Sequence, residues 1–180
     1  KTLLHIVDIL RFTGARINEV CSLKVEDISL SDRTINITNA KSDAGDRLLP
    51  IHNDLLPLIE HLVATSKDGW LINSDAQNKY GLRSGCYSTR FGRIKKELGF
   101  DERVVAHSIR KLAATLMERG NVPMNHAAQF LGHEKVGVLS FSLYSDGIDM
   151  EQMRKVADVV ADGQKAIAPR MITETKQLGS

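Results

Sequence analysis

The sequence predicts an α+β fold that is predominantly α-helical and carries one small antiparallel β-sheet. Three observations predict it. Apolar residues recur at helical spacing over most of the chain. One stretch, Thr34 to Thr38, instead alternates polar and apolar, and a second extended run, Arg47 to Ile51, follows it. Glycine or proline stands where the helical segments begin or end. A chain of 180 residues with 42% hydrophobic content fits one domain around one core, taken as residues 1–165, with residues 166–180 read as a flexible polar tail.

The elements follow in order. Leu3, Leu4, Ile6, Val7 and Leu10 form an apolar stripe that stops before Thr13-Gly14, where glycine suits a helix end. A short second helix carries Ile17, Val20 and Leu23 inward and places Arg16 at its start. The two extended runs form a β-hairpin across the turn cluster Ser42 to Asp46, with Lys41 near the turn. Asp54 through Ala64 reads as a helix capped by Asn53 or Asp54, and Trp70 to Ile72 as a short edge strand. Ser84 to Leu98 is a basic helix stopped by Gly99, and Ser108 to Arg119 is the next, stopped by Gly120. Pro123 opens a helix to Leu131 that Gly132 ends, and Met150 to Val160 is a final amphipathic helix.

Net charge is only +2, but it is unevenly placed. From Lys79 to Arg119 ten Lys/Arg face four Asp/Glu, leaving that segment at +6 and the remainder at −4. Such a concentration suits phosphate binding through counterion release; its plainer reading is a solvated helix face. Cys21 and Cys86 lack C-x-x-C spacing and read as buried or partly buried reduced thiols, which favours an intracellular protein. No apolar run reaches membrane-spanning length, and no leader precedes the first element. Opening on Lys1, the chain reads as an excised fragment. It contains no P-loop, G-x-G-x-x-G turn or carboxylate metal cluster.

Six polar residues stand in one order: Arg16, Lys41, His107, Arg110, His133 and Tyr144. Their chemistry suits a phosphodiester. Guanidiniums can clamp non-bridging oxygens, a lysine can protonate a leaving alkoxide, imidazoles can move protons, and a phenol can attack phosphorus. Singly, each has a plainer role. Arg16 and Glu19 would be a weak surface pair, Lys41 a solubilising turn residue, and Tyr144 a packed tyrosine like Tyr80 or Tyr87. His107 and Arg110, three apart at a helix start, share a face at an end that favours anions.

The strings TGARINEV, HSIRKLAATLMERG and LGHE, with the later Tyr144, make residues 3–160 resemble the catalytic domain of a tyrosine recombinase of the phage integrase type. The joint occurrence of four segments in order carries the resemblance. It implies the helical DNA breaking-rejoining fold with a small sheet. It makes Arg16 and Arg110 the catalytic arginines, His107 and His133 the catalytic histidines, Tyr144 the nucleophile and Lys41 the general acid, with Arg47 or His133 as its competitor. Glu19 supports Arg16. Ile109 stands where leucine is usual in H-x-L-R, and Tyr144 follows His133 by eleven residues, a longer connection than is usual. Backbone contacts to DNA are expected from Arg47, Arg83, Arg90, Arg93, Lys95, Lys96 and Lys111.

The resemblance further implies that Tyr144 attacks the scissile phosphate, giving a 3′-phosphotyrosyl link and a 5′-hydroxyl, with no cofactor, metal or ATP. Implied partners are double-stranded DNA, further copies of the chain as a homo-oligomer, most simply a tetramer on DNA, and accessory DNA-bending or directionality proteins, with no membrane. The implied setting is the bacterial cytoplasm and nucleoid. The family's separate DNA-clamping domain is not in this chain. The final helix, with Met150, Met153, Val156 and Val160 as its stripe, docks on a neighbouring protomer or on its own core. Two rival readings share these residues: a type IB topoisomerase-like nicking-closing enzyme, and a non-catalytic DNA-binding relative.

Overall fold

In the computed structural model, residues 2–38, 45–73, 82–133 and 147–177 are described, with side chains of the last helix described through residue 167. Lys41 and Tyr144 lie outside the described residues, as do Lys79 and Tyr80. Helices α1 (Thr2–Thr13) and α2 (Ile17–Cys21) lead through a 3₁₀ turn (Val25–Asp27) to strands β1 (Ile28–Ser29), β2 (Thr34–Ile37) and β3 (Arg47–Pro50). Helices α3 (Leu56–Thr65), α4 (Gly85–Glu97), α5 (Ala106–Arg119), α6 (Met124–Leu131) and α7 (Met150–Gln177) follow.

The α1 stripe is buried through Leu3, Ile6, Ile9 and Leu10. Its end is set by two devices. The Thr13 hydroxyl donates back to the Ile9 carbonyl at 2.6 Å and accepts from the Ala15 N–H at 3.2 Å. Gly14 then takes a φ of +59°, and a Cβ there would meet Leu131 Cδ2 at 2.7 Å. Glycine is therefore required both for the turn and for the close approach of α6.

The sheet is antiparallel in the order β1-β2-β3, with Ile35 opposite Leu49 and Ile37 opposite Arg47. Ile35, Ile37 and Leu49 point into the core while Asn36 and Leu48 face outward, as period-two alternation requires. The two-residue β1 was too short to leave a sequence signal. Trp70 to Ile72 is not a strand: Trp70 makes a single bridge to Lys24, held by Val25 N–H to Gly69 O and Leu71 N–H to Leu23 O, both 2.9 Å.

Three boundaries differ from expectation. Helix α3 begins at Leu56 without an Asn53 or Asp54 cap, because Pro57 in its first turn presets the helical φ and Asp54 N–H turns back to His52 Nδ1. Helix α5 begins two residues early, with Ser108 Oγ accepting the Val105 N–H at 3.1 Å from within the first turn. Helix α7 continues past Val160 to Gln177. Gly163 does not break it, because it lies against α5, where a Cβ would meet Leu116 Cδ2 at 2.8 Å.

Met153, Val156 and Val160 of α7 are buried in this chain's own core, against α1, α5, α6 and β3. Polar contacts fix the docking: Arg154 donates to Asp32 O at 2.7 Å, Gln164 to Arg11 O, and Lys165 pairs with Asp54 at 2.8 Å. Among the described residues, no helix is long and apolar enough to cross a membrane. Cys21 is fully buried, and burial pushes its thiol up to about 12. Cys86 is exposed on the first turn of α4, which corrects the expectation that both thiols are at least partly buried.

Candidate active site

Arg110 lies at the centre. It sits in the first turns of α5, only 4% exposed, and its guanidinium donates to Gly14 O at 2.8 Å and to Leu131 O at 2.5 Å. One side chain thus ties three segments: the α1–α2 turn that carries Arg16, the start of α5, and the end of α6 that carries His133. The acceptors exist because helix ends leave carbonyls without intrahelical partners, here before the left-handed Gly132. Burial pushes Arg110 down to about 10, and Arg16 and Arg47 nearby push in the same direction, so it remains a cation at neutral pH.

Arg16 is the N-cap residue of α2. Glu19 accepts its backbone N–H at 2.8 Å and its guanidinium at 2.6 Å. The Arg16 side chain keeps 40% exposure while Glu19 keeps 7%, so the carboxylate is sequestered and the guanidinium faces outward. The Glu19 oxygen that accepts the Arg16 N–H, Oε2, also accepts Arg47 Nη2 at 3.0 Å. Burial alone would raise the Glu19 carboxyl, but Arg47 beside it and the bonds from Arg16 outweigh burial and hold it below the usual carboxylate range.

His107 and His133 are both exposed at this site. Partial desolvation lowers each imidazole, and the neighbouring cations lower it further. For His107 these are Arg110, Lys111 and Arg16; for His133 they are Arg110, Arg16, Arg47 and His107. The structure therefore brings Arg16, Glu19, Arg47, His107, Arg110 and His133 into one electropositive cluster. Two guanidiniums and two neutral imidazoles there can hold a phosphate and accept or relay a proton. Lys41 and Tyr144 fall outside the described residues.

Two expected DNA contacts, Arg47 and Arg83, are corrected. Arg47 is buried, its side chain 4% exposed, and all three of its nitrogens are engaged: Nε to Phe130 O at 2.9 Å, Nη1 to Gly45 O at 2.6 Å and Nη2 to Glu19. It can neither reach a DNA backbone nor serve as the acid. Arg83 is buried against the Trp70 ring, 4.0 Å from its centroid, and donates to Cys21 O and Ile72 O. Lys95 is half-buried and caps Asp101 O and Glu102 O. Arg90, Arg93, Lys96 and Lys111 are exposed.

Sequence reasoning missed Gly14, whose carbonyl anchors Arg110, and the inward role of Arg47. The second had a signal: Arg47 shares strand parity with Leu49 and Ile51, so it belongs on the core face.

A sequence model of the phage integrase family matches residues 1–146. A tyrosine recombinase of Pseudothermotoga lettingae is 26% identical over 87% of this chain and 54% of its own length. The lambda integrase catalytic core superposes with a TM-score of 0.58 at 24% identity, over 74% of this chain and 84% of that one. A lambda integrase dimer bound to a COC′ core site gives 0.58 at 23% identity, over 83% of this chain and 54% of that one. The chain spans about half the length of the curated relatives it matches. With the family model matching residues 1–146, the chain belongs to the phage integrase family and has the fold of a tyrosine recombinase catalytic domain.

Proposed function

We propose that this chain is the catalytic part of a DNA integrase or site-specific recombinase acting through a covalent 3′-phosphotyrosyl intermediate. The convergence of Arg16, His107, Arg110 and His133 from three separate segments carries the reading. In it, Arg16 and Arg110 hold the non-bridging oxygens of the scissile phosphate and stabilise the charge that develops there. Tyr144 attacks phosphorus as the phenol gives its proton to His107. Lys41 protonates the departing 5′-oxygen. The bond energy stays in the phosphotyrosyl ester, so a 5′-hydroxyl from a second duplex can reverse the step and exchange strands. Double-stranded DNA is the substrate, with further copies of the chain, as a tetramer on DNA, and accessory DNA-bending proteins as partners.

The test uses a randomised duplex library carrying nicks that trap the covalent product. Wild type should yield protein-linked DNA on denaturing gels and should join two recovered duplexes. Relaxation of supercoiled plasmid with no joining would favour a nicking-closing enzyme, and no adduct would refute catalysis.

Two expectations follow. Arg90, Arg93, Lys96 and Lys111 supply phosphate contacts, so binding should weaken steeply with salt, and Arg93→Gln should reduce the log–log salt slope by about 1. Titration at several salt concentrations measures this; an unchanged slope removes Arg93 from the interface. The pH dependence follows from the histidines. Desolvation and the neighbouring cations favour the neutral imidazole, so protonation requires more acid than the usual value of about 6.5. Cleavage at sub-saturating DNA, where the rate reports the groups of the free protein, should therefore fall only at pH below about 6.5. A midpoint above that value under those conditions would exclude His107 as the base.

A further inference from the structure

Arg47 is a buried cation that links two remote segments to its own strand. Its donors reach Glu19 on α2, Phe130 at the end of α6, and Gly45 two residues before it. The two remote partners lead directly to members of the site. Glu19 holds the Arg16 guanidinium, and Phe130 precedes the Gly132-His133 turn. Gly132 is shaped around the same group: a Cβ there would lie 2.6 Å from Arg47 Nη1.

We infer that Arg47 is a positioning residue that sets the Arg16 arm and the His133 turn in one mutual geometry, a role resting on the catalytic reading above. It touches no substrate. A planar fork with five N–H donors can satisfy three divergent acceptors at once, whereas an ammonium is a single compact charge on a flexible stem. Its action is to fix where two phosphate-facing groups stand relative to each other. Displacement by about 1 Å in such an arrangement costs on the order of 10²-fold in rate.

The experiment uses a duplex recovered by trapping, the full chain at saturating concentration, and single-turnover adduct formation. Arg47→Met should react on the order of 10²-fold more slowly with DNA affinity within about threefold of wild type, and Arg47→Lys should remain at least about tenfold slow. The defect should persist on a duplex with sulfur at the 5′-bridging position, because Arg16 and the His133 turn face the phosphate and that leaving group scarcely needs an acid. Full recovery there would place the fault at the general acid and overturn the inference. A wild-type rate in Arg47→Met, or a loss that vanishes once DNA saturates, also overturns it.

Should Arg47→Met fail to fold by circular dichroism, Glu19→Gln decides, since a carboxamide keeps one acceptor oxygen and cannot hold both the Arg16 and Arg47 guanidiniums, while the two carbonyl bonds stay in place. It should be at least about tenfold slow at unchanged affinity, and a wild-type rate refutes the role. Absence of any adduct from wild type would remove the catalytic reading and this inference together. A wild-type adduct with unimpaired Arg47→Met would remove the inference alone.

Discussion

Lys41→Ala should slow DNA cleavage by roughly 10² to 10⁴-fold on an ordinary duplex and be restored on one carrying sulfur at the 5′-bridging position. The oxygen leaving group is an alkoxide and departs poorly without a proton; a thiolate leaves readily by itself. Tyr144→Phe should be inactive on both substrates, because the attacking oxygen is gone. The pair of variants separates the two ends of one displacement. Equal impairment of Lys41→Ala on both substrates would show that lysine is not the acid. Arg47 is then no substitute, since all three of its nitrogens are engaged in buried contacts, and His133 becomes the next candidate.

Arg110→Ala should be the most damaging change among the described residues. On the proposed mechanism it removes a phosphate clamp, for which loss of one charge-stabilising donor typically costs about 10² to 10³-fold in rate. It also strands the buried carbonyls of Gly14 and Leu131, which accept from Arg110 at 2.8 and 2.5 Å. An unsatisfied buried polar group costs about 1–3 kcal/mol, so for the two carbonyls a stability loss of about 2–6 kcal/mol should accompany the rate loss. Arg110→Lys should keep the charge while losing the fork between the two carbonyls, and should recover stability more than rate. Denaturant unfolding beside single-turnover cleavage measures both. Wild-type stability in Arg110→Ala would mean that the guanidinium does not tie the three segments together.

Much of this site was legible because its members are embedded in local strings. Arg16 follows a Gly-Ala pair at a helix start, His107 and Arg110 are spaced to share a helix face, and His133 follows the left-handed glycine that ends α6. Those relations depend on residues a few positions apart. What was not legible depends on long-range partners. Arg83 looked like one more basic residue beside α4, yet its acceptors are Cys21 O, 62 positions away, and Ile72 O, and its guanidinium lies on Trp70. Lys95 is captured by carbonyls of the loop that follows its own helix. The extent of α7 was hidden because Gly163 reads as a breaker in isolation and becomes a packing requirement only beside Leu116. In each case charge or glycine content was visible, and the partner that decides its meaning was not.

Among the other tyrosines, Tyr87 is unsuited to attack: its ring is buried and its hydroxyl donates to Asn73 O at 2.7 Å. The most direct measurement is therefore the identity of the linked residue. Trapped protein–DNA complex would be digested with nuclease and protease, and the nucleotide-bearing peptide sequenced by mass spectrometry alongside end-labelling of the released strand. The account predicts one modified peptide, carrying a 3′-phosphonucleotide on Tyr144, and a free 5′-hydroxyl on the released strand. A link to Tyr80, Tyr87 or a serine, or a 5′-phosphate at the break, would contradict it.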